Sequence, residues 1–217
     1  MDKDTIVKAL KELKESSKKR NFTQTVDLVV NLKNLNLKKP EEQVEMFITL
    51  HNSKGKEPKI CAFVGSELKE ESDKVMDKTV YIEEFDNYAK DKKQIKKLAE
   101  EYDYFVAQAN LMGKIAATFG RVFGPRGKMP NPKAGCVVPP KANLEPIKEK
   151  LKKTVKASAK KMPVIQIPLG QENQPEEEII DNIQTFYKAL LHGLPKEEHN
   201  IKSVYLKLTM GKPIKLK

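Results

Sequence analysis

The chain has 217 residues, enough for one large domain or two small ones, each with its own core. Hydrophobic residues make up 39% and charged residues 33%, with a formal net charge of +11, the balance of a globular chain with no membrane partner. No apolar run reaches the roughly 18 residues that span a bilayer, and the start MDKDTIVKALKELKESSKKR lacks the apolar stretch of a signal peptide.

In chain order, Asp4 is placed to cap a first helix, with Ile6, Leu10 and Leu13 on one face. Val26, Leu28, Val30 and Leu32 alternate after Phe22 and predict a half-buried strand. A polar corner leads to a second alternation at Val44, Met46, Ile48 and Leu50. The segment HNSKGKEPK then interrupts, and the pattern changes. KICAFVG is a continuous apolar run, as in a strand covered on both faces, and Cys61 within it reads as core filling. Helical segments alternate with TVYI and YFVAQA, then LMGKIAATFGRVFG reads as an amphipathic helix. This alternation predicts βαβ units and a parallel sheet. GPRGKMPNPKAG, residues 124–135, reads as a loop, followed by a helix pattern from Asn143 to Lys153. Beyond it MPVIQIPLG is a strand, PEEEIIDNIQTFYKALLHGLP a helix, and IKSVYLKLTMG a strand with Val204, Leu206 and Leu208 on one face. The predicted fold class is α/β, in two domains. A discontinuous α+β domain (1–51 and 155–217) carries an inserted Rossmann-like α/β domain (52–154).

Charge points to the partner. From Tyr104 to Leu144 there is no Asp or Glu, while Lys114, Arg121, Arg126, Lys128, Lys133 and Lys141 lie in that span. The tail from His199 to Lys217 has no acid and five lysines. Two acid-free segments favour a polyanion, most simply nucleic acid. Cys61, Cys136, His51, His192 and His199 have no metal-site spacing, so neither a metal nor a cofactor is expected, and the cysteines suit a reducing interior. Gly127-Lys128 fails the P-loop pattern, because Val122 lies five residues before the glycine and Met129 follows the lysine. The dinucleotide glycine pattern fails too, and no catalytic triad stands out, so no catalytic residue is expected. Two readings of the 124–135 loop stand: a rigid basic contact to a phosphate backbone, or a loop stiffened by its prolines to dock on its own domain.

GRVFGPRGKMPNPKAG resembles the signature of the ribosomal protein L1 family, its archaeal and eukaryotic-type branch in particular. NFTQTVDLVVNL resembles that family's first-strand segment, and IKSVYLKLTMG its closing strand. The resemblance implies a discontinuous first domain with a Rossmann-like insertion. It also implies a non-enzymatic, cytoplasmic protein of the large ribosomal subunit, monomeric outside the ribosome. Its partners would be the rRNA of the mobile L1 stalk, near the tRNA exit site, and exit-site tRNA, whose release it would support. A further implied role is repression of translation through its own mRNA. The implied rRNA and mRNA contacts are Phe22, Thr25, Asp27, Ser203, Thr209, Met210 and Gly211, with Asp27 standing where many relatives have glutamate. The alternative for Phe22 and Met210 is a place in the core, above all for Phe22, which begins an alternating strand. Arg121, Arg126, Lys128 and Lys133 then form a secondary RNA contact. Two rivals stand beside this reading: a regulator acting chiefly on mRNA, and a nucleotide-dependent enzyme built on the α/β middle.

Overall fold

The computed structural model describes residues 2–217. In chain order it begins with α1 (Lys3–Ser16), β1 (Thr25–Leu32), β2 (Val44–Thr49) and β3 (Ile60–Val64). Then come α2 (Lys69–Val75), β4 (Lys78–Tyr81), α3 (Phe85–Lys90), α4 (Lys92–Glu101) and β5 (Tyr104–Gln108). These lead to α5 (Met112–Arg126), β6 (Val137–Val138), α6 (Glu145–Lys153) and β7 (Thr154–Ala159). The chain closes with β8 (Val164–Gln171), α7 (Glu176–Gly193), β9 (Ile201–Leu208) and β10 (Ile214–Lys215). It divides into two compact units. One runs to Lys56 and resumes over Lys153–Lys217; the other is Glu57–Lys152.

In the first unit a four-stranded sheet has the order β10-β9-β1-β8, and β2 pairs with β7 in a separate two-stranded sheet. β1 is antiparallel to both β8 and β9. Antiparallel sheets can leave one face to solvent, and this one does. Val26, Leu28 and Val30 lie opposite Leu208, Leu206 and Val204 and are buried. That face meets α1 and α7, whose Ile6, Leu10, Leu13, Ile179, Ile183 and Phe186 join the same core. Each such side chain contributes about 1.5–3 kcal/mol on burial. The opposite face carries Thr25, Asp27, Val29 and Asn31 of β1, each partly exposed. Asn52, beyond β2, is held against α7: its N–H donates to Asn182 Oδ1 (3.1 Å) and its side-chain amide to Asp181 (3.1 Å).

Three local expectations are corrected. Asp4 lies inside the first turn of α1; Asp2 holds the cap position, without a side-chain bond. Thr154–Ala159 is a strand that its small side chains concealed, paired in register with β2 from Val44↔Ala159 to Thr49↔Thr154. The 124–135 segment is a loop only in part, because α5 continues through Gly124, Pro125 and Arg126. The helix stops at Gly127, whose φ of +64° suits a residue without Cβ. Gly127 N–H donates to Gly124 O (3.0 Å) and Lys128 N–H to Phe123 O (3.0 Å), satisfying carbonyls at the helix end.

In the second unit a parallel sheet has the order β4-β3-β5-β6. All five residues of β3 are buried, as expected of a strand covered on both faces. One side of the sheet packs five phenylalanines: Phe63, Phe85, Phe105, Phe119 and Phe123. Ring centroids lie as close as 4.3 Å (Phe105–Phe123) and 4.7 Å (Phe63–Phe119). Cys61 and Cys136 are both buried and free.

Candidate nucleic-acid interface

The site grows from the place where β1 begins and β9 ends. Thr25 N–H donates to the Thr209 hydroxyl (3.0 Å), and Thr209 N–H donates to Thr25 O (3.1 Å). Thr209 thus extends the β1–β9 pairing one step past the strand. The chain then turns, with Gly211 N–H donating to Leu208 O (2.9 Å). A Cβ at position 211 would stand 3.1 Å from Leu208 Cβ, so a side chain there would press on Leu208 and push it by a few tenths of an ångström. Met210 crowns the turn and is 61% exposed. Phe22, three residues ahead of β1, is 51% exposed. Neither is core, which closes that alternative. Large apolar side chains held in water suit contact with a partner's apolar surface.

Two residues that sequence patterns did not single out hold this corner. Gln24 is 2% exposed, and its side-chain carbonyl accepts from Met210 N–H (3.1 Å). Its side-chain amide donates to Glu172 (3.3 Å), which also accepts from Gln24 N–H (3.0 Å). Glu172 N–H closes the ring onto Gln24 O (3.0 Å). The turn that presents Met210 is therefore tied to the end of β8 through one buried amide. Only a signal for long-range pairing could have revealed this, since Gln24 and Glu172 are 148 positions apart.

Asp27 lies on the partly exposed sheet face opposite Lys207. Burial raises its carboxyl above the ordinary range, and the Lys207 ammonium opposes the rise. Ser203 shares that face but sits six residues before Thr209, roughly 20 Å along the strand. It is 7% exposed, and its hydroxyl accepts from Asn31 Nδ2 (2.9 Å). Phe22, Thr25, Thr209, Met210 and Gly211 thus form one corner, Asp27 borders it, and Ser203 stands apart.

The four residues of the expected secondary contact divide into two pairs. Arg126 donates to Glu100 (3.0 Å), and Lys128 donates to Tyr102 O (2.7 Å). Pro130 and Ala134 are buried, and Met129 packs against the phenylalanine core. Much of the 127–134 segment is accordingly docked on its own unit, as the second reading of the loop expected. Arg121 and Lys133 remain exposed.

In an open α/β sheet, ligands favour the crevice where strand order reverses. Here that point lies between the ends of β3 and β5, and a protein side chain fills it. Gln108, 1% exposed, accepts from Gly65 N–H (2.8 Å) and donates to Glu67 (2.8 Å). The amide that would meet a phosphate is already bonded, which argues against the nucleotide-enzyme rival. Among the described residues no cluster of three or more His, Cys, Asp or Glu is placed to hold a metal. No helix among them is long and apolar enough to cross a membrane.

Comparison with known proteins gives the family. A relative from Thermococcus kodakarensis, "Large ribosomal subunit protein uL1", is 43% identical over 216 residues, covering 99% of this chain and 98% of the relative. Proteins of the same description from Pyrococcus abyssi and Methanothermococcus thermolithotrophicus are 42% and 39% identical. They cover all of this chain and 97% and 99% of their own lengths. The model of the ribosomal protein L1p/L10e family matches residues 13–212, and the chain belongs to that family.

Proposed function

We propose that this chain is a non-enzymatic protein of the large ribosomal subunit that binds rRNA through its first unit. The corner of Phe22, Thr25, Thr209, Met210 and Gly211 is the main contact, and the sheet face with Asp27 and Ser203 extends it. The observation that carries the reading is the pair of exposed apolar side chains, Phe22 and Met210, beside a turn fixed by the buried Gln24. Apolar area beside hydroxyls and backbone groups suits the sugar edges and 2′-hydroxyls by which proteins tell RNA from DNA. The five lysines of the acid-free tail add attraction to phosphates.

The finer reading is that the rRNA is the mobile stalk beside the tRNA exit site, and that the protein supports release of exiting tRNA. Arg121 and Lys133, exposed on the second unit, are the groups left for the secondary RNA contact. An mRNA presenting the same shape would occupy the same corner, so repression through its own message belongs to this reading. The test is sequencing of RNA that copurifies with the protein, followed by competition binding. One large-subunit rRNA segment should be enriched and should outcompete unrelated RNA. Equal recovery of all RNA, or normal binding by a Met210→Ala variant, would refute the assignment.

A further inference from the structure

α1 ends at Ser16, and the hydroxyls of Ser16 and Ser17 turn back to donate to Leu13 O (3.3 Å) and Lys14 O (3.1 Å). Past that turn, Lys18, Lys19 and Arg20 run beside the residue that follows β8, Glu172. Together with Lys14 and Ser17 they line an open cavity of about 390 Å³.

The charges around it are unevenly committed. Lys14 is paired with Glu176 at 2.8 Å. Glu172, the one carboxylate in the lining, accepts from both the backbone and the side chain of Gln24. Lys18, Lys19 and Arg20 are exposed and have no ion-pair partner among the described residues. Three uncommitted cations face a cavity whose acid is already engaged.

Residue choice sharpens the point. Of 41 basic residues only Arg20, Arg121 and Arg126 are arginine, and Arg126 is held by Glu100. A guanidinium grips a phosphate with two parallel bonds, where an ammonium offers only a point charge. Position matters as well. Arg20 is two residues from Phe22, and Glu172 ties the cavity wall through Gln24 to the turn that bears Met210.

We propose that this cavity is a phosphate subsite that takes a backbone phosphodiester of the bound RNA, with Arg20 as its fork and Lys18 and Lys19 as its charged wall. The proposal rests on the RNA-binding reading of the Phe22–Met210 corner. It assigns to the neighbouring cavity a role in affinity that does not depend on base sequence.

The test uses the full chain and two probes, a synthetic hairpin of the large-subunit stalk rRNA and a poly-uridine strand. Kd is measured against salt for Arg20→Gln, Arg20→Lys, the double variant Lys18→Gln/Lys19→Gln, and Thr209→Val. These exposed cations hold no protein partner, so thermal unfolding of their variants should match the parent. Arg20→Gln should weaken hairpin binding by about tenfold and reduce the salt slope by about 0.7–0.9, the loss of one phosphate contact. Arg20→Lys should restore the slope but only part of the affinity. A hairpin series with single methylphosphonates should contain one position whose penalty disappears in Arg20→Gln. If Thr209→Val weakens binding while every cavity variant keeps the parent slope, the phosphate subsite is wrong and the corner reading survives. If neither set of variants changes binding, both fail. Equal loss for Arg20→Gln and Arg20→Lys on both probes would overturn the charge role and with it the proposal.

Discussion

The Thr209 hydroxyl accepts the backbone N–H of Thr25 at 3.0 Å, joining residues 184 positions apart. The same hydroxyl lies 3.4 Å from Thr25 O, so it serves the fold as well as facing the site. Thr209→Val should lower stability by about 0.5–1.5 kcal/mol, and RNA binding should weaken by about 1–3 kcal/mol if the hydroxyl also meets RNA. Thr209→Ser should restore both. Urea unfolding beside a binding titration separates the two effects; a valine variant that loses stability alone would remove Thr209 from the contact.

Gln24 tests whether the corner must be rigid. Gln24→Ala takes away the acceptor of Met210 N–H and one of the two donors to Glu172, and empties the buried place of the amide side chain. Unfolding should become easier by about 1–3 kcal/mol. RNA affinity should fall even under conditions where the variant is fully folded, although Gln24 itself is hidden. Unchanged affinity in the folded variant would mean that Met210 needs no fixed turn.

Asp27 gives a pH signature. Its carboxyl is raised by burial, so the folded chain holds this proton more tightly than the unfolded chain. The contribution of Asp27 to stability should therefore decline as pH rises from the ordinary carboxylate value through the raised one, and level off above it. Asp27→Asn should remove that decline. If the ionised carboxylate accepts an RNA hydroxyl, binding should strengthen over the same interval and lose this dependence in the variant. Paired melts and titrations from about pH 4 to 7 measure both.

The first unit should stand alone. Leu50 N–H donates to Lys153 O (2.9 Å), and Lys54 Nζ donates to Thr154 O (3.3 Å), so the two chain crossings are neighbours. Replacing 57–152 with a short glycine-rich link should leave a cooperative fold that binds the specific RNA within about tenfold of the parent. The isolated 57–152 segment should discriminate poorly between RNA sequences. Sequence specificity residing in that segment would overturn the assignment of the site.

The buried thiols should be inert in the native state. Burial pushes Cys61 to about 12 and Cys136 to about 11, so hardly any thiolate exists at neutral pH. Both should react with a thiol reagent only after unfolding. Fast labelling of the folded chain would contradict the packing described for β3 and the loop before β6.

Regular patterns in the sequence read well. The alternations at 26–32 and 204–208, and the apolar run at 60–64, announced β1, β9 and β3 because each buries large side chains at the period of its backbone. β7 did not read as a strand: Thr154, Ala157 and Ala159 are too small to mark a period, and only pairing with β2 defines them. Gly124 and Pro125 suggested a loop, yet a last helical turn tolerates Pro125. Phe22 could not be assigned from its alternation, because only the fold shows that β1 starts three residues later. Gln24 and Glu172 carried no local signal at all.

β1 lies between β8 and β9, strands that come from the far end of the chain. During synthesis, then, the earliest strand waits unpaired in its sheet while the parallel-sheet unit between them is made. Thr209 and Met210 follow β9, so they emerge after the whole of that unit. A nascent chain that stops short of β9 therefore lacks the Phe22–Met210 corner, and any binding made there must follow completion of the second unit.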